Sequence, residues 1–185
     1  MIRPLTRRRQ SSFSLHLINA TIILSSVLFC TLMLLVRLPG MTLSGIGPNW
    51  LLIWVVAWSM RRTPWQGLLS GICLGLLQDS LTAPQPTHMV GLALVGFLVG
   101  RMNPTGLIEE DFISRALIVF GMALLVETVT ALQFGLAALH PLSDVWLHLR
   151  QTALSSAILS SLWTPVIYVP LNLWWQRYHR LLGIE

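Results

Sequence analysis

Long apolar runs alternate with short polar gaps along the chain. The runs lie at about 15–36, 48–61, 64–81, 86–101, 115–139 and 150–176. The first, from Leu15 to Val36, is long enough to span the ~30 Å hydrocarbon core of a bilayer. It also outruns the ~7–15-residue apolar core of a cleaved signal peptide, so it reads as a retained first helix. Pro48, Pro64 and Pro86 open the second, third and fourth runs. Proline in a first helical turn loses no hydrogen bond, so these three residues mark helix starts. His140-Pro141 ends the fifth run and Gln176-Arg177 the sixth. Runs two to four are short, near the lower limit of ~17 residues for a span, and a re-entrant segment is the alternative there. No linker is long enough to separate domains. The expected architecture is an all-α integral membrane protein, one transmembrane domain over 1–185 with six helices in a compact bundle.

Arginine sets the orientation. With the N-terminus in the cytoplasm and six alternating helices, Arg3, Arg7, Arg8, Arg9, Arg61, Arg62, Arg101, Arg115, Arg177 and Arg180 fall inside, and Arg37 and Arg150 outside. This is a strong positive-inside bias, and an odd helix count would spoil it. Both termini are therefore expected in the cytoplasm. Trp65, Trp174 and Trp175 fall near the inner interface and Trp50 and Trp146 near the outer one, as an aromatic belt would.

Composition agrees. The chain is 54% hydrophobic and 10% charged, against ~25% charged residues in soluble domains. Its net charge of +5 comes with nearly all arginines in or at the edges of the short gaps. A nucleic-acid surface would show a contiguous basic face instead, so no nucleic-acid partner is expected. Cys30 and Cys73 lie inside apolar runs and read as small hydrophobes.

Several constellations stand out. Gly67, Gly71 and Gly75 form a ladder at intervals of four on the third helix, and Gly91, Gly96 and Gly100 line the fourth. Glycine at this spacing lets backbones approach closely, either within the bundle or against a partner helix. Gln78 and Asp79 end the third helix; the carboxylate is read either as a cap on the turn from Ser80 to Pro86 or as part of an interaction surface. Glu127 sits near mid-membrane with no basic residue at its depth. It is read as a neutral, hydrogen-bonded link to Thr128, Thr130, Ser155, Ser156, Ser160 or Ser161, rather than as a proton relay. Trp50, Trp54 and Trp58 recur every four residues, as a packed or lipid-facing aromatic face or a partner contact. His140, Asp144 and His148 have helical spacing, but Pro141 makes His140 a boundary, and the stretch reads as an apolar stripe on the outer membrane surface. No metal or cofactor is expected.

Catalytic templates fail. The run from Gly67 to Gly71 has one residue too many for a nucleophile elbow and no histidine at its depth. A single carboxylate in Gly75-Leu76-Leu77-Gln78-Asp79 cannot do aspartic-type acid chemistry. An intramembrane hydrolase is thereby set aside.

The stretch from Pro48 to Gly100, with its glycine-rich third helix ending in Gly75-Leu76-Leu77-Gln78-Asp79, a Pro-containing turn and a second glycine-rich helix, resembles the MreD family of the bacterial rod-shape system. The resemblance implies a non-enzymatic subunit of the cell-elongation and peptidoglycan-synthesis machinery in the inner membrane. The implied partners are an MreC-like bitopic protein, an MreB-like actin homologue, and a wall-synthesis glycosyltransferase and transpeptidase. It also implies a fold similar to the substrate-binding subunit of energy-coupling-factor transporters. From this comes the alternative, a vitamin-binding membrane subunit, which would need convergent polar and aromatic groups around an enclosed pocket.

Overall fold

Six helices follow one another: α1 (Thr6–Leu35), α2 (Trp50–Ser59), α3 (Pro64–Leu81), α4 (His88–Met102), α5 (Phe112–Leu136) and α6 (Leu142–Leu182). The computed structural model describes residues 6–36, 42, 45–82, 87–102, 112–136 and 142–182, with side chains placed for all of these except 6–13, 112, 142–151 and 182. No strand element occurs among them.

The prolines locate the starts only to within a turn. Pro64 is the first residue of α3. Pro48, by contrast, precedes the cap of α2: the Asn49 side chain accepts a hydrogen bond from the Leu52 N–H at 3.0 Å, so the helix begins at Trp50. At the other end Ser59, not residue 61, is its last residue. α4 begins at His88 rather than at Pro86. α1 starts at Thr6, well before residue 15. α6 starts at Leu142 and runs 41 residues to Leu182, through Pro165 and Pro170. The segment read as a separate stripe on the membrane surface is thus the first part of α6; its side chains and residue 140 lie outside the described set.

Hydrogen bonds between helices fix their relative directions. The Asn49 N–H donates to Ser160 Oγ at 3.0 Å, and Arg61, twelve residues on, donates to Asn172, also twelve residues on. Equal steps mean that α2 and α6 run parallel. The α1–α6 pairs run the other way: Trp174 Nε1 donates to Asn19 Oδ1 at 3.1 Å, and Tyr178 Oη lies 2.7 Å from His16 Nδ1. α3 and α4 are antiparallel, with Gly67 against Gly96 and Gly75 against Met89. α4 and α5 are antiparallel too, with Gly91 against Val126 and Thr87 bonded to Gln133. One end of the bundle therefore collects Arg61, Arg62, Arg101, Arg115, Arg177 and Arg180, every arginine whose side chain is described.

α2 lies at the centre. It touches each of the other five helices, and every residue from Trp50 to Ala57 is buried. Ten residues give about 15 Å of helix, half the hydrocarbon thickness. A helix wrapped in protein need not match the bilayer, because its ends are not presented to lipid. Length and composition allow three helical segments to cross a membrane: Ser14–Leu35, Ile113–Leu136 and Thr152–Leu181. Their outer faces remain apolar and exposed, as at Leu24, Leu28, Leu117, Leu132 and Leu162.

Trp50 and Trp175 correct the aromatic-belt expectation. Both are core residues, 3% and 4% exposed, whereas Trp65 is 68% exposed.

Candidate functional site

The glycine ladder closes on a second set of small residues. A Cβ on Gly67 would collide with the Gly96 carbonyl, one on Gly71 with the Leu92 carbonyl, and one on Gly75 with the Met89 backbone. At the end of the seam a Cβ on Gly100 would lie 2.8 Å from Pro64 Cα. The two backbones thus touch over the whole length of α4. Within a membrane this contact is won by van der Waals fit, since lipid offers no hydrophobic drive to bring helices together. Gly91 faces away, towards Val126 of α5, with 3.2 Å between its would-be Cβ and the valine Cγ1.

Beyond Gly75 the same face of α3 carries Gln78, 4% exposed. Its backbone carbonyl accepts from Thr82 N–H at 2.9 Å and from Thr82 Oγ1 at 2.8 Å. Its side-chain Oε1 is buried with no partner among the described residues.

Asp79 stands before the turn that joins α3 to α4. Its carboxylate reaches past that turn to the start of α4: Oδ1 accepts from the His88 N–H at 2.7 Å, and Oδ2 from the Met89 N–H at 3.4 Å. The His88 ring Nδ1 lies 2.8 Å from Oδ1. A carboxylate at a helix N-terminus satisfies orphan donors and complements the helix dipole. α5 holds the same spot from the other side. Gln133 Oε1 accepts from the Thr87 N–H at 2.8 Å, and its Nε2 donates to the Thr87 carbonyl at 3.1 Å. Three helices are thereby pinned at one point.

Glu127 is half-buried on α5, next to Val126, and is engaged with a neighbour. Of the hydroxyls considered for it, Thr128 donates to its own helix at Leu124, Ser161 likewise at Ile158, and Ser160 accepts from Asn49.

The tryptophan series on α2 packs inward. Trp54 stacks on Trp58, centroids 5.3 Å apart; Trp58 meets Trp175 edge-on at 5.7 Å; Trp50 meets Trp163 at 5.5 Å. Trp54 Nε1 also donates to Ser26 Oγ of α1 at 2.9 Å.

A cavity of about 260 Å³ lies near the Asp79 end, between the end of α1, the segment leading into α2 and Thr82. Thr42 and Thr82 are the polar side chains in its lining; the others include Met33, Leu34, Ile46 and Trp50.

A family model described as rod shape-determining protein MreD matches residues 15–176. The chain belongs to the MreD family. No match is found among curated proteins or among solved structures. Family membership gives this helical membrane protein a role in rod-shape determination.

In this MreD-family chain the structure brings together Gly67, Gly71, Gly75, Gly96, Gly100, Gln78 and Asp79 along one seam. Sequence reasoning missed His88 and Gln133. A glutamine near the end of the membrane-spanning α5 is the signal that could have found the second, since a membrane-buried amide needs a partner.

Proposed function

We propose that this MreD-family chain is a six-span, non-enzymatic subunit that holds cell-elongation proteins together at the bacterial cytoplasmic membrane. The observation that carries this reading is the α3–α4 seam. Its backbones are in direct contact, and Asp79 and Gln133 clamp the start of α4, so the polar groups most suggestive of chemistry are engaged in holding helices. A bundle clamped in this way is suited to presenting surfaces to partners. The partners proposed are an MreC-like bitopic protein, an MreB-like actin homologue, and the glycosyltransferase and transpeptidase of wall synthesis. The gathering of six described arginines at one end supports cytoplasmic termini. Glu127 is assigned the part of a neutral interhelical hydrogen-bonding group.

A fold like that of the substrate-binding subunit of energy-coupling-factor transporters, which the family resemblance implies, is the source of an alternative vitamin-binding reading. The cavity near Thr82 is its one support, and two threonines among apolar walls are a thin recognition set. Depletion in a rod-shaped host separates the two. The scaffold reading expects rounded, widening cells with misplaced wall synthesis. Cells that keep their shape but need a vitamin supplement would overturn it. Recovery of MreC-like and wall-synthesis proteins in mild detergent, rather than a pair of ATPases, is the biochemical counterpart. Labelling of a cysteine placed at Gln85 from outside the cell checks the topology.

A further inference from the structure

A cation at membrane depth needs a counter-charge or a path to water. Arg115 shows neither a described carboxylate nor full exposure. It sits one turn into α5, half-buried, with its guanidinium carbon 4.3 Å from the centroid of the Tyr168 ring on α6. Its Nε is buried and has no hydrogen-bond partner among the described residues. The ion pair between Asp79 and His88 belongs to the opposite end of the bundle.

One turn further along α6, Asn172 accepts a hydrogen bond from Arg61. Tyr168 and Asn172 are about 6 Å apart along the helix axis. Two guanidinium groups, from α5 and from the α2–α3 turn, therefore dock on the same face of α6. Tyr168 is itself buried, and exposed apolar side chains flank the two anchors in sequence: Leu173, next to Asn172, is 60% exposed, and Ile113 and Leu117, two residues to either side of Arg115, 71% and 68%. Two planar donor forks are thus anchored one turn apart on α6, with exposed apolar side chains next to their anchors in sequence. Guanidinium forks match phosphate oxygens, and the adjoining apolar flank matches acyl chains.

We propose that Arg115 and Arg61 bind the phosphate of an anionic glycerophospholipid, whose acyl chains lie along Ile113, Leu117 and Leu173. Headgroup charge follows from the surroundings. The six described arginines share this end, so a headgroup carrying its own ammonium meets repulsion that phosphatidylglycerol does not. The proposal rests on the placement of the arginine end at a bilayer surface, and is indifferent to which compartment that surface faces. Glu109, Glu110 and Asp111 precede α5 in sequence and lie outside the described residues.

The test is native mass spectrometry of the full chain in mild detergent. Added phosphatidylglycerol is compared with phosphatidylethanolamine of the same acyl chains, and with inorganic phosphate as competitor. Phosphatidylglycerol should be retained preferentially. Arg115→Gln should weaken it about tenfold, as for loss of a charge-assisted hydrogen-bonded pair. Arg61→Gln should weaken it about threefold, because that side chain is exposed and shares its donors with Asn172. Arg180→Gln, in the last turn of α6, should leave retention unchanged. Equal retention by wild type and the Arg61 and Arg115 variants would overturn the site. So would displacement by inorganic phosphate alone, or selectivity that emerges only when Glu109, Glu110 and Asp111 are neutralised together. Should Arg115→Gln fail to fold, Arg61→Gln alone decides between these outcomes. Cell shape is not the readout, so a failed scaffold reading and a failed lipid site are told apart.

Discussion

α3 meets α4 backbone to backbone, whereas α2 meets α6 through tryptophan. Both seams hold helices together where lipid removes most of the hydrophobic incentive to associate. The first does so by deleting side chains, so that peptide groups themselves touch. The second does so by filling the gap with broad, rigid rings. A contact made by deletion tolerates no addition, and a contact made by filling tolerates no removal.

The largest expected effect comes from adding bulk to the glycine seam. Gly71→Leu places a side chain where the Leu92 carbonyl and the Ala93 Cα already stand. Backbone cannot yield as a rotamer can, and the loss should exceed ~3 kcal/mol. The monodisperse peak in detergent size exclusion should disappear; a wild-type profile would mean the seam is open. Removing bulk from the aromatic seam should follow. Trp54→Ala leaves a cavity beside Trp58 and deprives Ser26 of its indole donor, for about 3 kcal/mol. Thermal stability in detergent reads this out, and an unchanged midpoint would show that lipid or neighbouring side chains fill the space.

Smaller effects sharpen the contrast by touching neither seam directly. Asp79→Leu removes the cap of α4, at about 2 kcal/mol, while Asp79→Asn keeps an acceptor and should lose less than ~1 kcal/mol. Equal damage from both would point to a requirement for the charge. Gly121 is the control. A Cβ there meets nothing within 4 Å, so Gly121→Ala should be neutral or stabilising by up to ~1 kcal/mol through helix propensity. Destabilisation by that variant would show that this face of α5 is covered in the membrane.

The glycine seam was legible because a spacing of four on a helix specifies a face without any knowledge of the partner. The starts of α2 and α3 were nearly legible for the same local reason, through Pro48 and Pro64. Asp79 was singled out by its cost in a membrane, but its partners lie nine and ten residues away, across a turn whose path no local rule supplies. The central position of α2 could not be read at all. A helix apolar on every side looks alike in sequence whether lipid or protein surrounds it, and this misplaced Trp50 at the interface. Gln133, Tyr168 and Asn172 depend on inter-helix register, which single-sequence periodicity does not encode.

The short, wholly enclosed α2 has a consequence for biogenesis. It enters the membrane early in synthesis, with α3 joined to it through the 60–63 turn, yet one wall of its enclosure is α6, the last helix of the series to be made. Until α6 arrives, α2 is a ten-residue rod whose ends face lipid with unsatisfied peptide groups. Completion of the core therefore waits for α6, and a chain trimmed before residue 160 lacks the wall that hides α2 in the folded molecule.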